Sequence, residues 1–156
     1  MSFEVIHGDI TQIKCDAIVN AAKPSLRGGG GVDGAIHKAA GPELHTECLT
    51  LNGCKRGEAK LTKGYALPCK YVIHTVGPRW WDGKHGEIDI LESCYFESLK
   101  LAYEKDLKSV AFPLIGTGAY HCPSNVVQEI ATRTIQSFLE THDMEIYLVM
   151  FDGSVR

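Results

Sequence analysis

Several features that would assign a chain to a particular class are missing from this sequence. Its 156 residues contain no run of about 18 consecutive apolar residues, so no membrane-spanning helix is expected. The 16 basic residues do not outnumber the 19 acidic ones, and the formal charge of −3 argues against a surface that coats nucleic acid. The first residues lack the basic and apolar regions of a signal peptide, so we expect a cytoplasmic protein.

The six cysteines also lack a pattern that would assign them a function. No two of them have the C-x-x-C spacing of a zinc site or a redox dithiol, so we expect reduced thiols, several of them buried. A zinc site assembled from distant residues such as His121 and Cys122 stays an alternative. We predict no metal and no cofactor.

The hydrophobic pattern that is present predicts one α/β domain spanning residues 1–156. Apolar residues make up 44% of the chain and charged residues 22%, as in a globular protein. Strands alternate with helices, which indicates a three-layer αβα arrangement. The first two predicted strands are joined too briefly for a crossover helix, so the central sheet should be mixed. Strands are predicted over 3–7, 17–20, 61–67, 70–76, 109–114 and 145–151, and helices over 32–40, from 42 to about 51, 88–105 and 126–140.

The run Gly28-Gly29-Gly30-Gly31 is the most informative stretch, because it leads directly into the predicted helix at Val32. Unpaired amides and the partial positive charge of a helix N-terminus suit a phosphate. A flexible surface loop is the alternative. The spacing of Gly29, Gly31 and Gly34 also matches a dinucleotide fingerprint, but residues 21–27 separate it from the preceding strand.

A second glycine-rich loop, 115–120, follows the predicted strand 109–114. Open α/β sheets bind ligands at the carboxyl ends of their strands, where both loops begin. Two amide-rich loops facing one cleft would suit a diphosphate, with one loop on each side.

Five segments, taken in order, resemble the macrodomain family and in particular its MacroD-type branch of ADP-ribosyl hydrolases. They are GDIT at 8–11, AIVNAA at 17–22, GGGGVDGAIH at 28–37, HTVGP at 74–78 and FPLIGTG at 112–118. The resemblance covers nearly the whole chain. It implies an αβα macrodomain fold with ADP-ribose or an ADP-ribosylated protein as partner. It also implies one more helix after the last strand, which is not expected within 152–156.

The resemblance also implies roles for individual residues. Asp9 would accept a hydrogen bond from the adenine amino group, and Phe151 would lie against adenine and its ribose. Asp33 would reach the distal ribose and a water near its anomeric carbon. The implied ligand-binding residues are Asp9, Ile10, Asn20, Gly30, Gly31, Val32, Gly116, Thr117, Gly118, Ala119, Tyr120 and Phe151, and the implied catalytic residues are Asp33 and Lys23.

Each of these residues also has a structural interpretation. Asp9 suits a turn, Asn20 suits a backbone hydrogen bond, and Phe151 suits the core. Asp33 suits the charge preference of a helix N-terminus. The histidines at 37, 74 and 121 are more often structural than catalytic.

Lys23 departs from the family pattern, because the family's Asn-Ala-Ala-Asn is Asn20-Ala21-Ala22-Lys23 here. A lysine donates hydrogen bonds but cannot accept them. It would pair with Asp33, contact a phosphate or point into solvent.

Hydrolysis of mono-ADP-ribosyl carboxylates or of O-acetyl-ADP-ribose is one functional hypothesis. A reader module that binds ADP-ribose without cleaving it is the second, and a domain for another nucleotide is the third.

Overall fold

The computed structural model describes residues 2–151 and contains six strands, four α-helices and one short 3-10 helix within that range. The strands are β1 Ser2–His7, β2 Ala17–Ala21, β3 Ala59–Lys63, β4 Tyr71–Thr75, β5 Ser109–Phe112 and β6 Glu145–Met150. The helices are α1 Gly31–Ala40, α2 Pro42–Leu49, α3 Glu87–Glu104 and α4 Ser124–Leu139, and the 3-10 helix is Ile10–Gln12.

The strands form one sheet in the order β1-β6-β5-β2-β4-β3. Every neighbouring pair is parallel except β3 and β4, so the predicted mixed sheet is confirmed. The reason we gave for it was wrong, because β1 and β2 are not neighbours. Each of them has its own parallel partners, and the antiparallel strand is β3.

Helices cover both faces of the sheet, as the three-layer prediction required. One core cluster contains Tyr95, Phe112 and Ile135, and the other contains Ile36, Leu44 and Val72. Successive residues of β2 contribute to the two clusters in turn, since neighbouring side chains of a strand point to opposite faces. Burial on both faces explains why this strand is almost entirely apolar in sequence.

Several predicted boundaries were wrong: the strand predicted over 109–114 ends at Phe112, for example. Two others have a clear physical reason. The strand predicted over 61–67 ends at Lys63, and Tyr65 has a φ of 54° within the connection to β4. Helix α2 ends at Leu49, before the left-handed residues Asn52 and Gly53. In both places a local turn conformation overrides the apolar pattern.

Five strands run in one direction and therefore end at the same edge of the sheet. The loops that follow β1, β2, β5 and β6 all start there, and they include the two glycine loops for which this was predicted. No helix within residues 2–151 has both the length and the apolar character needed to cross a bilayer. The prediction about a helix after β6 falls on residues 152–156, outside the described part of the chain.

Candidate active site

The strand order brings Asp9 and Phe151 together. They follow β1 and β6, which are neighbours with His7 opposite Met150. The chain turns there through a hydrogen bond from the Gly8 amide to the Met150 carbonyl at 3.0 Å. Phe151 is 53% exposed, so its structural interpretation as a core residue is wrong.

Asp9 does form a turn. Its Oδ1 accepts hydrogen bonds from the Thr11 amide at 3.0 Å and the Thr11 hydroxyl at 2.8 Å, and it caps the 3-10 helix. These bonds orient the carboxylate, while Ile10 is buried behind it. A contact between Asp9 and adenine stays a prediction.

The first glycine loop packs tightly against α1. A Cβ on Gly34 would lie 2.4 Å from the Gly29 carbonyl oxygen, so only glycine allows the helix this close to the loop. The space above Gly30 and Gly31 is open, since a Cβ at either position would meet no atom within 4 Å. The loop therefore has one side fixed to the protein and another side accessible to a ligand.

The second glycine loop is held from beneath. The buried Tyr95 hydroxyl donates to the Pro113 carbonyl at 2.7 Å and accepts from the Ile115 amide at 3.0 Å. Gly116 has a φ of +81°, and a Cβ there would lie 2.7 Å from the Cys122 sulfur. Gly118 and Ala119 are exposed, so their backbone is accessible to a ligand.

Asn20 and Asp33, which are separated by the whole first glycine loop, meet in the interior. Asn20 Nδ2 donates to Asp33 Oδ1 at 2.8 Å, and both side chains are buried. The same Nδ2 lies 3.2 Å from His74 Nδ1. The structural interpretation of Asn20 was a hydrogen bond to the backbone of a turn. Its described hydrogen bonds are instead with the side chains of Asp33 and His74.

The proton positions in this network follow from the donors. Because Asn20 Nδ2 can only donate, His74 Nδ1 accepts, and the ring carries its proton on Nε2. That N–H donates to Thr62 Oγ1 at 2.9 Å, and the hydroxyl donates to the Lys63 carbonyl at 3.1 Å. Burial, and to a smaller extent the nearby His37, lowers the pKa of His74 to about 3, so the ring is neutral at physiological pH.

The network leaves two acceptors without partners. Asn20 Oδ1 and Asp33 Oδ2 are buried and make no hydrogen bond to any residue between 2 and 151. Reversing the Asn20 amide would not help, because its oxygen would then face the Asp33 carboxylate. A buried acceptor without a partner is costly, so both atoms are suited to receive hydrogen bonds from a ligand or a water.

His37 also approaches Asp33 from one turn further along α1, with Nε2 3.5 Å from Oδ1. Burial lowers the pKa of His37, although the Asp33 charge opposes this. A neutral imidazole beside Asp33 adds a hydrogen-bonding group without neutralising the carboxylate.

Lys23 lies on the other side of Asp33. A Cβ on Gly29 would stand 2.9 Å from the Lys23 ammonium and 3.5 Å from Asp33 Oδ2, so both groups border the same space. None of the ion pairs within residues 2–151 contains Lys23. Lys23 therefore does not form the direct ion pair with Asp33 that we considered.

Within residues 2–151, one group has the spacing of metal ligands, namely Asp82, His85 and Glu87. Glu87 is already occupied: its carboxylate accepts four backbone amides of the loop before α3, at 2.6 to 3.1 Å. Burial opposes ionisation, but these amides outweigh it and lower the pKa of Glu87 to about 2. The described contacts of Glu87 therefore support the loop before α3. All six cysteines are free thiols, and burial raises the pKa of Cys122 to about 11.

Thr62 and His74 were not predicted as site residues. His74 was noticed but interpreted as structural, although it lies in the HTVGP segment that supported the family resemblance. Thr62 carries no local motif. Only the pairing of β4 with both β2 and β3 places Thr62 and His74 beside Asn20.

Comparisons with known proteins show the family to which the chain belongs. A model of the Macro domain family matches residues 19–131. The chain belongs to the Macro domain family. This macrodomain is 51% identical over 154 residues to a Citrobacter rodentium protein named O-acetyl-ADP-ribose deacetylase, covering 95% of this chain and 87% of the relative. It is 52% identical over 146 residues to the Xenopus laevis ADP-ribose glycohydrolase MACROD2, covering 92% of this chain and 35% of the relative.

Solved macrodomains share the fold closely. A mutant macrodomain of Oceanobacillus iheyensis, solved with ADPR, is 40% identical and has a TM-score of 0.90. The match covers 97% of this macrodomain and 84% of that chain. The predicted family and the predicted αβα fold are therefore confirmed.

Proposed function

We propose that this macrodomain binds ADP-ribose and hydrolyses its esters, either mono-ADP-ribosyl carboxylates on proteins or O-acetyl-ADP-ribose. The observation that carries the proposal is the buried Asp33 carboxylate, whose Oδ2 has no partner among residues 2–151. Its position at the start of α1, beside the first glycine loop, suits a water held next to a bound diphosphate. The names of the Citrobacter and Xenopus relatives support the same chemistry.

The ligand would extend along the carboxyl edge of the sheet. Adenine would bind Asp9 and lie against Phe151, with the Ile10 amide nearby. The Gly30-Gly31-Val32 segment and residues 116–120 would hold the diphosphate from opposite sides through their amides. Tyr120 would also pack beside the distal ribose, and Asn20 Oδ1 would accept a hydrogen bond from it.

Asp33 would act on water rather than on the nucleotide. Oδ2 accepts a hydrogen bond from a water and takes its proton as the water oxygen bonds to the ester carbonyl carbon or to the anomeric carbon. In attack at the carbonyl carbon, the bond from that carbon to the ribose oxygen breaks, and the ribose oxygen takes the proton from Asp33. In attack at the anomeric carbon, the bond from that carbon to the ester oxygen breaks, the carboxylate leaves, and Asp33 releases its proton to solvent. Positioning of the substrate by the two loops supplies much of the rate enhancement.

The decisive experiment compares the parent with Asp33→Ala and Asp33→Asn. We expect turnover of an ADP-ribosylated protein and of O-acetyl-ADP-ribose to be lost in both variants, while calorimetry shows ADP-ribose affinity within a few-fold of the parent. Asn keeps the side-chain shape and a hydrogen bond to Asn20, so it separates loss of the base from loss of packing. Undiminished turnover in either variant would remove Asp33 from the mechanism.

A second candidate function is a reader that binds ADP-ribose without cleaving it, and Lys23 is the observation that favours it. The exposed ammonium beside Asp33 Oδ2 attracts the carboxylate and competes with a water for it. Lys23→Asn restores the family residue. We expect faster turnover in that variant, and equal rates would mean that Lys23 does not limit the enzyme.

We also propose a cytoplasmic location, which rests on the six unpaired thiols. Cysteines that stay reduced are typical of a reducing compartment. Imaging of a tagged full-length chain would test this.

A further inference from the structure

Two arginines lie against the ring of Tyr120, at the end of the second glycine loop. The Arg56 guanidinium carbon is 4.7 Å from the ring centroid, and that of Arg79 is 6.0 Å away. A guanidinium near an aromatic face is held by a cation–π interaction. The Trp80 amide also donates to the Tyr120 carbonyl at 2.8 Å, which ties the chain beside Arg79 to the same loop.

These positive charges have no ionic partner among residues 2–151. Arg56 Nη1 donates to the Gly77 carbonyl at 2.5 Å, which fixes its position without cancelling its charge. Arg79 is exposed. The chain as a whole has a formal charge of −3, so this is a local basic surface on an acidic protein.

The sheet order places the backbone of Arg56 beyond Asn20, on the side away from the proposed adenine site. Asp9 follows β1, Asn20 lies in β2, and Arg56 pairs with Val76 just after β4. Successive strands are about 4.8 Å apart, so Asn20 stands about 14 Å from the β1 end and the next strand stands about 19 Å from it. A substrate that enters with adenine at Asp9 therefore presents its ester, and whatever is attached to it, towards the arginines.

We propose that Arg56 and Arg79, positioned on Tyr120, bind carboxylates of the acidic protein segment that carries the ADP-ribose. This inference rests on the proposed function. An ester-linked ADP-ribose replaces one carboxylate of Asp or Glu, and acidic neighbours in the same segment retain theirs. Guanidinium groups pair with carboxylates through charge-assisted, bidentate hydrogen bonds. The surface would select acidic segments without adding to the affinity for the nucleotide itself.

The test compares two ligands in an Asp33→Ala background, so that it does not depend on turnover. One ligand is free ADP-ribose, and the other is a peptide ADP-ribosylated on Glu with acidic residues on both sides. Arg79→Glu should weaken peptide binding about tenfold at an ionic strength of about 0.01 M and much less at about 1 M, where charges are screened. Affinity for free ADP-ribose should stay within about twofold.

Matched variants separate a specific contact from general charge. Lys84→Glu makes the same charge change in the same loop, and Lys84 has no contact with Tyr120 among the described pairs, so it should have a smaller effect. Arg56→Lys keeps the positive charge but loses the planar guanidinium that makes bidentate hydrogen bonds to a carboxylate.

Three results would overturn the inference: equal loss for both ligands, equal effects of Arg79→Glu and Lys84→Glu, or no loss for the peptide. Equal loss would assign the arginines to the nucleotide. A failure of the proposed function would be distinct, because free ADP-ribose would then not bind or the parent would turn over neither ester.

Discussion

Thr62 offers a sharp test of the network behind Asp33, because its side chain touches no part of the proposed ligand. It lies on β3 with 2% of its surface exposed, and its Oγ1 accepts a hydrogen bond from His74 Nε2 at 2.9 Å. Thr62→Val replaces only the hydroxyl and keeps the shape. His74 Nε2 then retains only the Cys48 sulfur at 3.8 Å, which is a weak partner.

Two consequences should follow from this loss. Leaving a buried N–H without an acceptor costs about 1–3 kcal/mol, so the free energy of unfolding should fall by that amount. The ring can avoid part of the cost by moving its proton to Nδ1, but that nitrogen then no longer accepts from Asn20. The Asn20 amide would lose its fixed orientation, and with it the bond that orients Asp33. A loss of about 1.4 kcal/mol of transition-state stabilisation would lower kcat about tenfold.

The assay combines three measurements on Thr62→Val and on Thr62→Ser, which keeps the hydroxyl. Denaturant unfolding gives the stability, nitrogen NMR gives the protonated nitrogen of His74, and steady-state kinetics separate kcat from ADP-ribose affinity. In Thr62→Val we expect kcat and the His74 spectrum to change while ADP-ribose affinity is little altered. In Thr62→Ser we expect both kcat and the spectrum to match the parent. If Val and Ser were indistinguishable, or if the Val variant kept the Nε2 proton and full kcat, the network would have no role in orienting Asp33.

The remaining predictions concern pH and the two supporting loops. Because the pKa of His74 falls from 6.5 to about 3 on folding, the unfolded state takes up a proton first as pH drops below 6.5. The contribution of neutral His74 to the free energy of unfolding should therefore be lost between pH 6.5 and 3, by at most about 1.4 kcal/mol per pH unit. Thermal melts of a His74→Gln variant should depend less on pH in that window. Gly34→Ala should force the Gly29 backbone to move and lower stability by about 1–3 kcal/mol, whereas Gly30→Ala should leave the melting temperature unchanged; equal melting temperatures would contradict the packing described here. Glu87→Gln should expose the amides of the loop before α3 to faster hydrogen exchange while the sheet stays protected, and unchanged exchange would show that the carboxylate does not support that loop.

Local sequence patterns predicted the strands and helices well where neighbouring residues in the sequence decide the conformation. The apolar run of β2 identified a strand buried on both faces, and the glycines before α1 identified a loop at a helix N-terminus. Boundaries were wrong where one residue adopts a turn conformation, as Tyr65 and Asn52 do. Tyr65 carries no clear sequence signal for its positive φ, whereas Asn52 precedes Gly53 and belongs to a residue type enriched at positive φ.

The site was predictable in its parts but not in its connections. Asp33 and the glycine loops lie in recognisable motifs. The contacts of Asn20 with His74, and of His74 with Thr62, depend on which strands are neighbours and on their register. Sheet order is a property of the whole fold, because β2 finds its partners far along the chain. The pairing of Arg56 with Tyr120 is non-local in the same way, so no spacing rule could have found it.

The row of strand ends has a consequence for how such a protein can change over evolutionary time. In the proposed arrangement, nucleotide recognition belongs to the β1 and β6 end, and bond cleavage belongs to the β2 and β4 end, with the glycine loops between them. Substitutions at one end therefore leave the other largely undisturbed. A lineage could exchange Lys23, or lose hydrolysis altogether, and still retain its ligand, so that catalysts and pure binders can descend from one scaffold by a handful of changes at a single corner.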